Sequence, residues 1–110
     1  MSSRRRATVR RLLWTRRAEV DLERIGDYIA ADDPIAAERW VQKLMDQARK
    51  VLDAPLGGRV VPEFRLNDIR ETFLRTYRIV YRVRDDTVTV LTVFEGHRRL
   101  PASLDIDDMP

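Results

Sequence analysis

Residues 69–94 read IRETFLRTYRIVYRVRDDTVTVLTVF, and the fold depends on how this stretch divides. Apolar and polar residues alternate over 69–74 and 77–83, and 88–94 is apolar or Thr throughout, which is strand periodicity and strand composition. Arg75-Thr76 and Arg84-Asp85-Asp86 separate the runs. Asp-Asp between two such runs is a turn signal, although it lacks the Gly that marks the tightest hairpins. The stretch is therefore read as a three-stranded antiparallel meander. Such a meander presents an apolar face and needs a second layer to cover it.

The upstream sequence supplies that layer. Residues 10–15, RRLLWT, have a short apolar centre and are expected to form a brief strand pairing with the meander, its arginines protecting an edge or touching a partner. Thr15 is placed to cap a helix over about 16–31, in which Ala18, Leu22, Ile25 and Ile29 recur at spacings of three or four with Tyr28 beside them. Asp33 and Pro34 then restart the pattern, Asp33 as a cap and Pro34 at the first helical position. The second helix is expected to run to about residue 52, with Ala37, Trp40, Val41, Leu44, Ala48, Val51 and Leu52 as its apolar stripe and Trp40 as a packing residue. Ala54-Pro55-Leu56-Gly57-Gly58 ends it and opens a loop to about 68. Gly57 and Gly58 reverse the chain there, with no strand–Gly-loop–helix order that would make them a phosphate loop. The expected fold is α+β with two layers, an N-terminal strand and an α-helical hairpin packed on an antiparallel β-sheet.

At 110 residues the chain is the size of one domain. It divides into a basic arm at 1–9, a domain at 10–100 and an acidic tail at 101–110. The net charge of +3 hides a steep gradient, because seven arginines precede the first acid, Glu19, while Asp105, Asp107 and Asp108 close the chain. That asymmetry suits a nucleic-acid or acidic-protein partner without demanding one. With no Cys and a single His, disulfides, thiolate catalysis and zinc-thiolate sites are excluded, and neither a metal nor a cofactor is expected. No apolar run approaches the roughly 20 residues of a bilayer span, and no signal-peptide apolar segment follows the basic arm. The expectation is a cytoplasmic protein without membrane contact.

Alternation on the middle strand places Arg78, Val80 and Arg82 on one side and Tyr77, Ile79, Tyr81 and Val83 on the other. Arg70 and the His97-Arg98-Arg99 segment would approach the cationic side. Two readings of it stay open. Clustered guanidiniums can hold phosphates and stabilise charge developing at phosphorus, with His97 or Glu63 moving a proton as RNA cleavage through the 2′-hydroxyl requires. Alternatively, the arginines pair with Glu63, Glu71 and Glu95 on a solvated sheet face.

The same residues carry a family likeness. Gly58-Arg59-Val60-Val61-Pro62-Glu63, Ile69-Arg70-Glu71, the run from Tyr77 to Val83, Asp85-Asp86 and the stretch 88–94 resemble the second half of the RelE/ParE superfamily of bacterial type II toxins. The Trp-ending first strand and the hairpin through Ile29-Ala30-Ala31-Asp32-Asp33-Pro34 resemble its first half. The resemblance covers about residues 12–100 and implies a toxin held inactive by a cognate antitoxin in a heterooligomeric complex. In the RelE-like branch, which cuts mRNA on the ribosome, it gives Arg78, His97, Glu63 and Arg82 catalytic roles and makes Arg70, Arg98 and Arg99 target contacts. A C-terminal Tyr found in several ribonuclease members has no counterpart, since no Tyr follows Tyr81. In the ParE-like branch, which poisons DNA gyrase, the helix hairpin and basic C-terminal segment are interaction surfaces. The ending Phe94-Glu95-Gly96-His97-Arg98-Arg99-Leu100 resembles this branch more closely. A third reading is a non-toxic relative that only binds its antitoxin.

Overall fold

The structure, a computed structural model, describes residues 11–96. The basic arm, the His97-Arg98-Arg99 segment and the acidic tail lie outside the described residues. Chain order is β1 (Arg11–Trp14), α1 (Arg16–Ala30), α2 (Pro34–Lys50), β2 (Arg59–Val60), β3 (Ile69–Leu74), β4 (Tyr77–Arg84) and β5 (Thr87–Glu95). The strands form one sheet in the order β1-β5-β4-β3-β2, with both helices packed on one face.

The two helix starts follow from their caps. The Thr15 hydroxyl accepts from Ala18 N at 3.0 Å and donates to Leu91 O at 3.1 Å, so one side chain caps α1 and ties it to β5. Asp33 accepts from Ile35 N and Ala36 N, with Pro34 opening α2 behind it. The second helix ends at Lys50, short of the expected bound, and tightens into a 3-10 turn over Val51–Asp53. Ala18, Leu44 and Ala48 from the helices meet Ile79, Val90 and Val93 of the sheet. Trp40 packs at the margin of this core, 5.8 Å from the Tyr77 ring.

Three features differ from the sequence reading. The sheet is mixed, because β1 runs parallel to β5 in the register Arg11↔Thr87 to Trp14↔Val90. A fifth strand, β2, lies within the expected loop and pairs antiparallel with β3 through only two residues. In the β4–β5 ladder Val80 pairs with Thr92 and Tyr81 with Val90, so Leu91 is an extra residue, a β-bulge. The bulge shifts the alternation of β5. Val90 and Val93 therefore both belong to the helix-side core while Leu91 joins the cluster on the opposite face.

That opposite face is not a solvated surface, as one of the two readings had it. Residues 61–68 fold across it, seating Phe64 against Val61, Ile69, Val80 and Leu91. Arg65 takes a left-handed φ of 56° within this cover, and hydrogen bonds from Phe64 N and Arg65 N to Val61 O hold its turn.

Candidate functional site

Pairing of β3 with β4 sets Glu71 opposite Val80 and Phe73 opposite Arg78, so these residues share the face beneath the 61–68 cover. At its centre is Glu71, whose side chain is fully buried between two arginines. Its Oε1 accepts from Arg78 Nε at 2.7 Å and also from Arg78 Nη2, while Oε2 accepts from Arg59 Nε. Arg78 reaches on from Nη2 to Glu63 Oε1 at 3.4 Å. Each arginine is backed by a ring, Arg78 over Phe94 at 4.9 Å and Arg59 over Phe73 at 5.6 Å. Two guanidiniums and two carboxylates balance, and the cluster carries no net charge. Farther along β4, Arg82 pairs with Asp68 at 3.2 Å, and Arg84 approaches the same carboxylate at 3.9 Å.

The electrostatics follow the contacts. Partial burial pushes the Glu63 carboxyl up, but a backbone hydrogen bond, Arg78 and Arg59 outweigh it and leave Glu63 below its ordinary value. Burial pulls the Arg78 guanidinium down, and the hydrogen bonds and charges of Glu71 and Glu63 more than reverse this. Arg78 is thus a permanent cation whose donors are directed at carboxylates.

Of the residues proposed from sequence, Arg78, Glu63 and Arg82 come together on one face, Arg78 and Arg82 both buried in ion pairs. Arg70 does not join them. It stands opposite Tyr81, which packs on the helix side, and its guanidinium donates to Leu56 O, Gly58 O, Asn67 O and Asn67 Oδ1 at 2.8–3.2 Å. Strand alternation dictates this, since neighbours along β3 point to opposite faces. Arg70 therefore pins both ends of the 58–67 segment. His97, Arg98 and Arg99 lie outside the described residues. Glu95, at the end of β5, accepts from the Thr76 hydroxyl at 3.4 Å.

Sequence reasoning placed no site role on Arg59, Asp68 or Tyr81. The Tyr81 hydroxyl donates to Pro55 O at 2.9 Å, holding the start of the cover from the helix side. Burial raises the Tyr81 pKa, against the lowering effects of a Gly58 backbone hydrogen bond and the Arg70 charge. Gly58 is the one glycine this packing demands, because a Cβ there would lie 2.3 Å from the Tyr81 hydroxyl and 2.5 Å from Glu71 O.

A second concavity lies between α1 and the end of β5. It is an open groove of about 640 Å³ with Ile25, Val93 and Phe94 on its apolar walls and Arg17, Arg24, Tyr28 and Glu95 at its margins. Asp21 bridges it, accepting from the Thr92 hydroxyl at 2.5 Å and from Val93 N at 3.2 Å. Among the described residues no group of three His, Asp or Glu is placed to hold a metal ion, and no helix is long and apolar enough to cross a membrane.

An α+β domain with a helical hairpin packed on a five-stranded mixed sheet is the fold of the RelE/ParE toxins. Residues 12–100 match the family described as ParE toxin of type II toxin-antitoxin system, parDE, and the chain belongs to that family. Among curated relatives it is 37% identical to Y4kP of Sinorhizobium fredii over 97 residues, covering 86% of this chain and 97% of that protein. It is 32% identical to toxin RelE2 of Caulobacter vibrioides over 88 residues, covering 79% and 96% respectively. Among solved structures, the chromosomal ParDE toxin–antitoxin system from P. aeruginosa superposes with a TM-score of 0.67 at 24% identity, covering 80% of this chain and 97% of that one. A free-state structure of a mutant E. coli toxin RelE gives 0.54 at 21% identity, covering 81% and 85%. The chain is a toxin of a type II toxin–antitoxin system, and that family implies a complex with an antitoxin.

Proposed function

We propose that this toxin inhibits DNA gyrase by binding it, and that it does not cleave RNA. The observation that carries this reading is the neutralised Arg78 cluster. A metal-independent ribonuclease of this fold would need a guanidinium free to meet a phosphate and a base free to accept the 2′-hydroxyl proton. Here Arg78 is 6% exposed and directs Nε and Nη2 at Glu71 and Glu63, while Arg82 is 8% exposed and paired with Asp68. Glu63 is engaged by the same Arg78 it would have to work beside. A face whose cations are consumed internally has little attraction for an RNA backbone. The chain's cytoplasmic residence follows from this reading, since gyrase acts on chromosomal DNA.

The test is paired. Purified toxin is added to gyrase and relaxed plasmid, and 5′ ends of cellular mRNA are mapped after the toxin is induced without its antitoxin. Loss of supercoiling with unchanged mRNA ends is expected. New ends within translated codons, abolished when translation is blocked, would overturn the proposal in favour of a ribosome-dependent nuclease. Growth unaffected by the induced toxin, with supercoiling intact, would instead identify a relative that only binds its antitoxin.

A further inference from the structure

β3 outruns the strand that pairs with it. β2 meets it only at Arg59↔Glu71 and Val60↔Arg70, while β3 continues through Thr72 and Phe73 to Leu74. Successive residues of an antiparallel strand turn their backbone groups to opposite neighbours. Asp68 O accepts from Val83 N on the β4 side, and Ile69 O accepts from Val61 N on the other. Residues 69, 71 and 73 therefore face away from β4. Glu71 finds Arg59 there, but among the described residues no strand stands beside the N–H and C=O of Phe73.

The side chains at this open edge are exposed and cationic. Phe73 is 43% exposed, and the Arg59 guanidinium lies 5.6 Å from its ring. Of the Arg59 nitrogens only Nε bonds Glu71, and the side chain remains 63% exposed. Arg75, two residues beyond Phe73, is exposed and has no ion pair or hydrogen bond among the described residues. Register then decides what can lie there. Extending the pairing Arg59↔Glu71 by one residue puts Gly58 opposite Thr72, so a segment in line with β2 has to end opposite Phe73. Running in the direction of β2, such a segment ends in a carboxylate beside Arg59. Running the other way it would begin with an α-amino group there, which the like charge of Arg59 disfavours.

We infer that the open edge of β3 takes the C-terminal end of a partner protein as one short antiparallel strand. Its terminal carboxylate lies on the Arg59 guanidinium, a geometry arginine serves with two parallel donors. An apolar last side chain packs on the Phe73 ring, and by strand alternation an acidic side chain two residues earlier shares that face and points toward Arg75. Main-chain bonds to Phe73 supply the docking, and the free carboxylate supplies the selectivity. The inference is independent of whether gyrase or RNA is the target.

The probe is a fluorescein-labelled peptide, TVETV, made with a free C-terminal carboxylate and as the C-terminal amide, and titrated with the full-length toxin by anisotropy. The free acid is expected to bind about tenfold more tightly than the amide. That preference should vanish in Arg59→Gln and shrink in Arg75→Gln. Because Arg59→Gln also removes a partner of buried Glu71, a second measurement uses unaltered toxin: hydrogen exchange at the Phe73 amide should slow when the free acid is added. Equal affinity for acid and amide, or binding that leaves Phe73 exchanging as before, overturns the inference. Absence of binding overturns it too, and leaves Arg59 and Arg75 as guards of an exposed edge. Protection of Phe73 that rises with toxin concentration in the absence of peptide overturns it in favour of a second copy.

Discussion

Arg78 and Glu71 meet through a single oxygen: Nε and Nη2 of the guanidinium both donate to Oε1, leaving Oε2 to Arg59. The buried carboxylate is thereby saturated by two residues on two different strands, and the face it organises is locked from within. Removing Glu71 strands Arg78 with only the partly exposed Glu63 for company. Breaking one side of a buried pair costs about 3–5 kcal/mol. Glu71→Gln is expected to lower the urea midpoint accordingly. The double variant Glu71→Leu/Arg78→Met should recover much of that loss, whereas simple additivity of the two single changes would show the pair is not coupled.

Glu63 gives the cover a pH dependence of defined sign. Its folded pKa lies below the usual 4.5, so the stability it contributes is fully present above the unfolded value and is lost as pH falls through the folded one. Thermal melts of wild type and Glu63→Gln should therefore separate near neutrality, with wild type the more stable, and converge as pH falls through the lowered folded pKa. Curves that run parallel across this range would remove Glu63 from the account.

Under the binding reading proposed for this toxin, Glu63 performs no chemistry. Folded Glu63→Gln protein is expected to arrest growth as strongly as wild type, within about twofold of the gyrase inhibition, far from the 10²–10⁴-fold loss typical when a general base is removed. Plasmid supercoiling and colony counts after induction check this.

At Gly58 a methyl group has nowhere to go. Gly58→Ala forces either the Tyr81 ring or the β3 backbone to shift, an overpacking cost of about 1–3 kcal/mol. Tyr81→Phe alone loses the hydrogen bond to Pro55 O, about 0.5–1.5 kcal/mol. Combining them relieves the contact with the hydroxyl but not the one with Glu71 O, so chemical denaturation should show partial rescue only.

The two helix caps offer an internal comparison. Thr15 is buried and bonds both Ala18 N and Leu91 O, whereas Asp33 is exposed and serves only its own helix. Thr15→Ala is expected to cost about 2 kcal/mol and Asp33→Ala about 1 kcal/mol. Equal losses in denaturant would mean the link from Thr15 to β5 contributes nothing.

The helices, their caps and the meander were legible because each repeats a period or places a capping residue at its start. β2 was not, since two residues carry no period. The bulge at Leu91 escaped for a different reason: 88–94 is apolar or Thr on both faces, so an extra residue leaves no mark on the alternation. The division of β4 into an arginine side and a tyrosine side was legible, and the burial of that arginine side was not. Its cover is a loop, and Val61 and Phe64 within it obey no periodicity that would identify them as core. The same limit hid the role of Asp68. Arg70 was assigned to the wrong side, although its own alternation with Glu71 would have corrected it.

Setting β1 against β5 has a consequence for how the molecule comes into being. Thr15 and Leu91 bond across 76 positions of sequence, and among the described residues β1 has no strand neighbour but β5. During synthesis the leading segment must wait, its edge unmatched, until almost the entire meander has been made. Pairings this distant in sequence assemble slowly, and until they do the nascent chain exposes apolar surface to whatever is near. Seating of β1 is thus tied to the synthesis of β5, and a chain cut short before residue 87 has no strand on which to seat Arg11–Trp14.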